Sequence, residues 1–178
     1  MSDAPDNLIT TCIDCQKPKA HLTCSECHSA LCKLCAKALD ESQFAYWPEA
    51  KARLSDKLYC QACYEKEVAS SLNEYEEILK RAGEVSVFFK EQSKETRLIK
   101  RRENIVNVAD FEDYDGSIMY MAYKAALVGC NALVDVELKS KKTKISGYTK
   151  TLWSGSGRPV KVEERFLNHD RVILKNPN

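Results

Sequence analysis

Residues 23–35 read TCSECHSALCKLC, four cysteines in thirteen positions arranged as two C-x-x-C pairs. Two further pairs, Cys12/Cys15 and Cys60/Cys63, flank them, so eight of the nine cysteines fall within the first 63 residues. A C-x-x-C turn sets two thiolates on one metal ion, and two such turns complete a closed tetrahedral zinc site. The four pairs therefore account for two zinc ions with no ligand left over. The candidate ligands are Cys12, Cys15, Cys24, Cys27, Cys32, Cys35, Cys60 and Cys63. Other uses of the thiols fit less well. A thioredoxin-like motif needs a single C-x-x-C beside a βα unit, and the usual iron–sulfur spacings are absent. Persistent disulfides are rare in a reducing compartment. That compartment is expected because MSDAPDNLITTC has neither the basic nor the apolar region of a secretory signal. No run of about 18 apolar residues is present either. A cytoplasmic chain without a membrane span is the expectation.

Spacing permits two ways of sharing the ions. Sequential pairing joins Cys12/Cys15 to Cys24/Cys27, and Cys32/Cys35 to Cys60/Cys63. Interleaved pairing joins Cys12/Cys15 to Cys32/Cys35, and Cys24/Cys27 to Cys60/Cys63. Over residues 12–63 the string C-x2-C-x8-C-x2-C-x4-C-x2-C-x24-C-x2-C resembles the cross-brace zinc modules of the FYVE, B-box and RING families, and its x4 step is FYVE-like. That resemblance implies interleaving. It does not carry the families' activities with it. FYVE domains place a basic cluster with paired histidines before the third cysteine, where KAHLTC offers only Lys19 and His21. RING modules usually have histidine at the fourth ligand position, which is Cys27 here. Because eight cysteines suffice, His21 and His28 read as surface imidazoles or partners that flank a ligand. A head of about fifty residues cannot bury enough surface to fold unaided. Structural zinc supplies the deficit, at roughly 10–16 kcal/mol per ion in small peptides.

The insert between the third and fourth pairs offers a small apolar cluster at Phe44, Tyr46 and Trp47. After Cys63, Val68, Leu72, Tyr75, Ile78 and Leu79 recur at helical spacing, and Gly83 stands where the helix stops. This predicts a connecting helix over 67–83. A double-zinc domain at 8–66 precedes it and an α+β domain at 84–178 follows.

In that second region VSVFF, residues 85–89, reads as a strand, and TRLIKRRENIVNVADF contains at least one more. Residues 117–128 read as a helix capped by Asp115 or Ser117 and ended by Gly129. Ala132, Val134, Val136 and Leu138 then alternate with Asp135 and Glu137 as a half-buried strand. KSKKTK reads as a polar turn, ISGYTKTLW as the returning strand, and GSG at 155–157 as its break. The fold class is α+β: a small zinc-stabilised cross-brace domain, then an antiparallel sheet with one packed helix. The phrases LVGCNALVDVEL and WSGSGRPVKV resemble the bacterial YbjQ-like domains, a family named for heavy-metal binding, over about 84–165. The resemblance implies a small α+β fold that often forms homo-oligomers, and no established reaction.

With 178 residues the chain has room for two small domains, and 44% hydrophobic content argues against disorder. A net charge of +1 exerts no global pull on polyanions, so such binding needs a local patch. Two clusters qualify: Arg97, Lys100, Arg101 and Arg102; and Lys139, Lys141, Lys142 and Lys144, with Tyr148 and Trp153 beyond. Nearby acids, including Glu95, Glu103 and Glu137, dilute them. Cys130 and His169 each stand apart, and no nucleophile–base constellation or carboxylate pair is recognisable. Cys130 reads as a buried inert thiol. The expected function is a zinc-binding adaptor or sensor, not an enzyme, whose metal shapes a surface for another protein. The alternatives are nucleic-acid binding by basic sheet edges, or metal handling through Cys130 and the histidines.

Overall fold

A computed structural model describes residues 10–18, 20–40, 42–92, 96–145 and 147–163. His169 and Lys19 lie outside them. The chain divides into two compact units, one ending at Tyr75 and one beginning at Glu76.

In the first unit β1 (Leu22–Thr23) pairs antiparallel with β2 (Ala30–Leu31), Leu22 opposite Leu31. Helix α1 (Pro48–Leu54) starts on a proline whose fixed φ suits a first turn. It carries Glu49 at its positive end and Lys51 and Arg53 at its negative end. Helix α2 (Gln61–Cys63) runs through a π-wound segment, Tyr64–Ala69, into α3 (Ser70–Ala82). The helix expected from about residue 67 therefore begins several residues earlier, inside the last C-x-x-C pair. Its cap is a cysteine rather than a hydroxyl or carboxylate: Cys60 Sγ accepts the Cys63 N–H at 3.4 Å. The apolar interior comprises Leu31, Phe44, Leu54, Tyr59 and Val68, all buried. Phe44 packs on Tyr75 with ring centroids 5.3 Å apart and on Trp47 at 6.2 Å. Tyr59 donates its hydroxyl proton to the Leu54 carbonyl at 3.2 Å, which satisfies the buried phenol.

The second unit is a four-stranded sheet in the order β3-β5-β6-β4, with α4 on one side. The strands are β3 (Ser86–Phe89), β4 (Val106–Phe111), β5 (Ala132–Ile145) and β6 (Tyr148–Val160). The β5–β6 and β6–β4 pairs are antiparallel as expected, whereas β3 joins the edge of β5 in parallel. A parallel neighbour needs a long crossover, and here β4 and α4 lie between the two strands in sequence. Helix α4 (Tyr114–Leu127) is capped by Asp113, whose carboxylate accepts the Gly116 N–H at 2.6 Å. The expected caps are displaced: Ser117 is buried and donates to the Asp113 carbonyl instead. Gly129 ends the helix at φ +74°, the left-handed position that favours glycine.

The hairpin departs furthest from expectation. KSKKTK is not a turn. β5 continues through it to Ile145, which stands opposite Tyr148, and Gly147 between them adopts φ +86°. Nor does GSG break β6. A Cβ on Gly155 would sit 2.0 Å from the Glu137 carbonyl oxygen. A Cβ on Gly157 would meet Val136 Cγ2 at 3.0 Å and Met121 Sδ at 3.3 Å. The glycines let backbone and helix approach. The alternation in β5 is also interrupted. Asp135 adopts φ +55° at a register shift between Val134 and Glu137, a bulge that moves later side chains to the other face. Val134 packs with Ala132, Val160 and Val162, while Val136 lies beside Gly157. Arg101 holds the bulge through two hydrogen bonds to the Asp135 carboxylate, at 2.6 and 3.0 Å. That arginine also donates to the carbonyls of Thr96 and Ile99, so it is structural rather than available.

Candidate metal centres

The first and second cysteine pairs form matching turns. Gln16 N–H donates to the Cys12 carbonyl at 2.9 Å and His28 N–H to the Cys24 carbonyl at 3.0 Å. Cys12 N–H donates onward to Lys17 and Cys24 N–H to Ser29, each at 2.9 Å. The residue after each pair turns left-handed, Gln16 at φ +59° and His28 at φ +60°. Both tight turns point two sulfurs the same way. This assigns His28 a backbone role, one that histidine tolerates better than most residues. β1 and β2 flank the second turn. The third pair closes on itself through Cys35 and Ala36 N–H to the Cys32 carbonyl. The fourth sits at the helix start, where the free Cys63 N–H donates to Cys60 Sγ.

These supports gather the sulfurs into two groups of four: Cys12, Cys15, Cys32 and Cys35; and Cys24, Cys27, Cys60 and Cys63. Within each group all Sγ atoms lie within 4.8 Å of one another. Cys15 and Cys32 are 3.8 Å apart, as are Cys27 and Cys60. A tetrahedron with Zn–S bonds of about 2.3 Å has S···S edges of about 3.8 Å. A disulfide would need about 2.05 Å. An iron–sulfur cluster interposes several atoms between its thiolates and holds them further apart. Each group can hold one zinc ion, and the grouping is the interleaved one. Sequential sharing would put Cys12 with Cys24, which stand in different groups.

The surroundings tune the sulfurs. Hydrogen bonding from the Cys32 backbone pulls the Cys12 thiol down to about 6. The Ser29 hydroxyl and amide do the same for Cys27. The neighbouring Cys32 and Cys15 sulfurs push Cys35 up to about 12, and Cys60 chiefly does so for Cys63. Burial raises Cys24, yet the amides of Cys27 and Cys60 outweigh it and its thiol is lowered. Each group thus sets readily ionised thiol on its tight turn against resistant thiol on its second pair: Cys12 against Cys35 in the first, and Cys24 and Cys27 against Cys60 and Cys63 in the second. Four adjacent thiolates repel, and a divalent cation removes that repulsion.

Four contacts that spacing does not reveal stitch the centres together. The Asp14 carboxylate, inside the first turn, accepts the Gln61 N–H at 3.2 and 3.3 Å and so satisfies the first free amide of the helix carrying Cys63. Ile13 N–H donates to the Ala30 carbonyl at 2.9 Å. In the second turn, Glu26 pairs with Lys57 at 3.0 Å and Ser25 N–H donates to the Leu58 carbonyl at 2.7 Å. An acid between two ligand cysteines, as in C-I-D-C and C-S-E-C, was the available signal.

Cys130 belongs to neither group. It is buried in the second unit, and burial raises its thiol. His21 and His28 are exposed and join no metal-ligating group among the described residues. No helix among those residues is long and apolar enough to cross a membrane.

No family model, curated protein or solved structure matches the chain. The likenesses to cross-brace modules and to YbjQ-like domains therefore assign no family. The metal centres rest on their own geometry.

Proposed function

We propose that the protein is a non-catalytic adaptor whose first unit is shaped by two structural zinc ions and binds another protein. Four thiolates per ion leave no open coordination position for water or substrate, which supports a structural rather than catalytic metal. The observation that carries the reading is the exposure of apolar side chains between the ligands. Leu34, between Cys32 and Cys35, is 94% exposed, and Ile13, between Cys12 and Cys15, is 48% exposed. Both stand on loops of the same cysteine group. Rigid loops that hold apolar side chains in water reduce the entropy lost on docking a partner. The test compares zinc-loaded protein with an Ile13→Ser/Leu34→Ser variant by crosslinking in the source cell. The variant should keep two zinc ions and lose the major crosslinked protein. An unchanged set of crosslinked proteins refutes the adaptor surface.

A further inference from the structure

The lysines expected in a turn stand on a two-stranded arm. From Lys139 to Trp153 the sequence carries five lysines and no acidic residue. The arm reaches past the last β4 pairing, Phe111 opposite Trp153. Lys139, Lys141, Lys142, Lys144, Tyr148 and Lys150 are all exposed, Tyr148 at 77%. Residues directly opposite in an antiparallel pair share a face. The pairings Lys141↔Leu152, Thr143↔Lys150 and Ile145↔Tyr148 put Lys139, Lys141, Lys150 and Tyr148 on one face. Lys142 and Lys144, with Thr151 and Thr149, occupy the other. Two lysines have partners: Lys139 pairs with Glu137 at 2.9 Å and Lys150 with Glu112 at 2.6 Å. Acids therefore neutralise Lys139 and Lys150 and leave Lys141, Lys142 and Lys144 as the arm's remaining cations.

Protection of a sheet edge needs a lysine or two. It does not call for cations on both faces of a ribbon that has two neighbouring strands and little apolar support. Such a ribbon is marginal in water, and mutual repulsion weakens it further. We propose that this arm binds nucleic acid, with Lys141, Lys142 and Lys144 on phosphates, the threonine hydroxyls as neutral donors, and Tyr148 stacking on a base. Paired strands about 4.8 Å apart fit a major groove about 12 Å wide, where cations on both faces meet both phosphate walls. A lipid surface meets only one face. An exposed tyrosine at the reversal is the stacking platform that single-strand binders use. The inference is independent of the adaptor reading, because it uses the other unit.

The test measures fluorescence anisotropy of labelled mixed-sequence duplex and single-stranded oligonucleotides against the full zinc-loaded chain at graded salt. Three phosphate contacts give a slope of log K against log salt of about −2.7 on duplex. Affinity then falls about forty-fold between 50 and 200 mM salt. A Lys141→Gln/Lys142→Gln/Lys144→Gln variant should lose that slope while keeping two zinc ions and a thermal midpoint no lower than the parent's. The matching Lys→Arg variant should retain the slope. Tyr148→Ala should weaken single-strand binding more than duplex binding. No binding at the lowest salt overturns the proposal, as does a slope unchanged by the Gln variant. So does preferential binding of phosphatidylserine vesicles that nucleic acid fails to compete.

Discussion

The interleaved grouping makes a prediction that inverts if the grouping is wrong. Structural zinc is held with about 10–16 kcal/mol by four thiolates. An even share is roughly 2.5–4 kcal/mol each, or about 10²–10³-fold in affinity per ligand lost. Cys12→Ser/Cys35→Ser removes two ligands from one group and none from the other. That site weakens by about 10⁴–10⁶-fold and empties, while Cys24, Cys27, Cys60 and Cys63 keep their ion. Cys12→Ser/Cys24→Ser instead takes one ligand from each group, weakening both sites by about 10²–10³-fold. Under a chelator calibrated to leave the parent loaded, the first variant retains one zinc per chain and the second retains none. Atomic emission on gel-filtered protein reads the number directly. Sequential sharing predicts the opposite, because Cys12 and Cys24 would then serve one ion. Retention of one zinc by Cys12→Ser/Cys24→Ser and none by Cys12→Ser/Cys35→Ser refutes the geometry.

Other perturbations test the second unit. Cys130→Ser should leave two zinc ions per chain by the same emission measurement, since Cys130 lies in neither group. Asp113→Ala removes the cap of α4 and should cost about 1 kcal/mol, read as a lower urea midpoint. Gly155→Val drives a Cβ against the Glu137 carbonyl and should destabilise by about 1–3 kcal/mol or more, seen as a lowered thermal midpoint. Glu137 is held at about 2, chiefly by Lys139 and then Lys90. Its folded value lies below the ordinary 4.5, so its stabilisation is present above pH 4.5 and disappears as pH falls toward 2. Urea midpoints across that window should drop less in Glu137→Gln than in the parent.

The cysteines that gather into two groups were legible because zinc coordination demands particular residues at particular spacing, and C-x-x-C survives any sequence around it. Which pairs share an ion was not, since both groupings obey the same local rule. The gathered sulfurs, and hydrogen bonds such as those of Ile13, Ser25 and Asp14 with distant segments, separate them. β3, β4 and α4 announced themselves through β-branched content or helical periodicity. The long arm did not. Polarity signals a turn only when strands have a buried face to contrast with it, and Lys139–Lys144 and Tyr148–Lys150 bury little on either side. The bulge at Asp135 escaped for a related reason: Val134 and Val136 look like one face of a strand until Arg101 pins the residue between them. The helix starting at Gln61 was masked because its cap is a thiol, which capping preferences do not anticipate.

The interleaving also orders events during synthesis. Cys35 leaves the ribosome 28 residues ahead of Cys63, so the ligand set of Cys12, Cys15, Cys32 and Cys35 is complete while the other still lacks half its members. An ion captured at that stage cinches the nascent chain around Cys24 and Cys27, shortening the search that Cys60 and Cys63 face on emerging. A translating polypeptide starved of zinc loses that head start and exposes up to eight thiols at once.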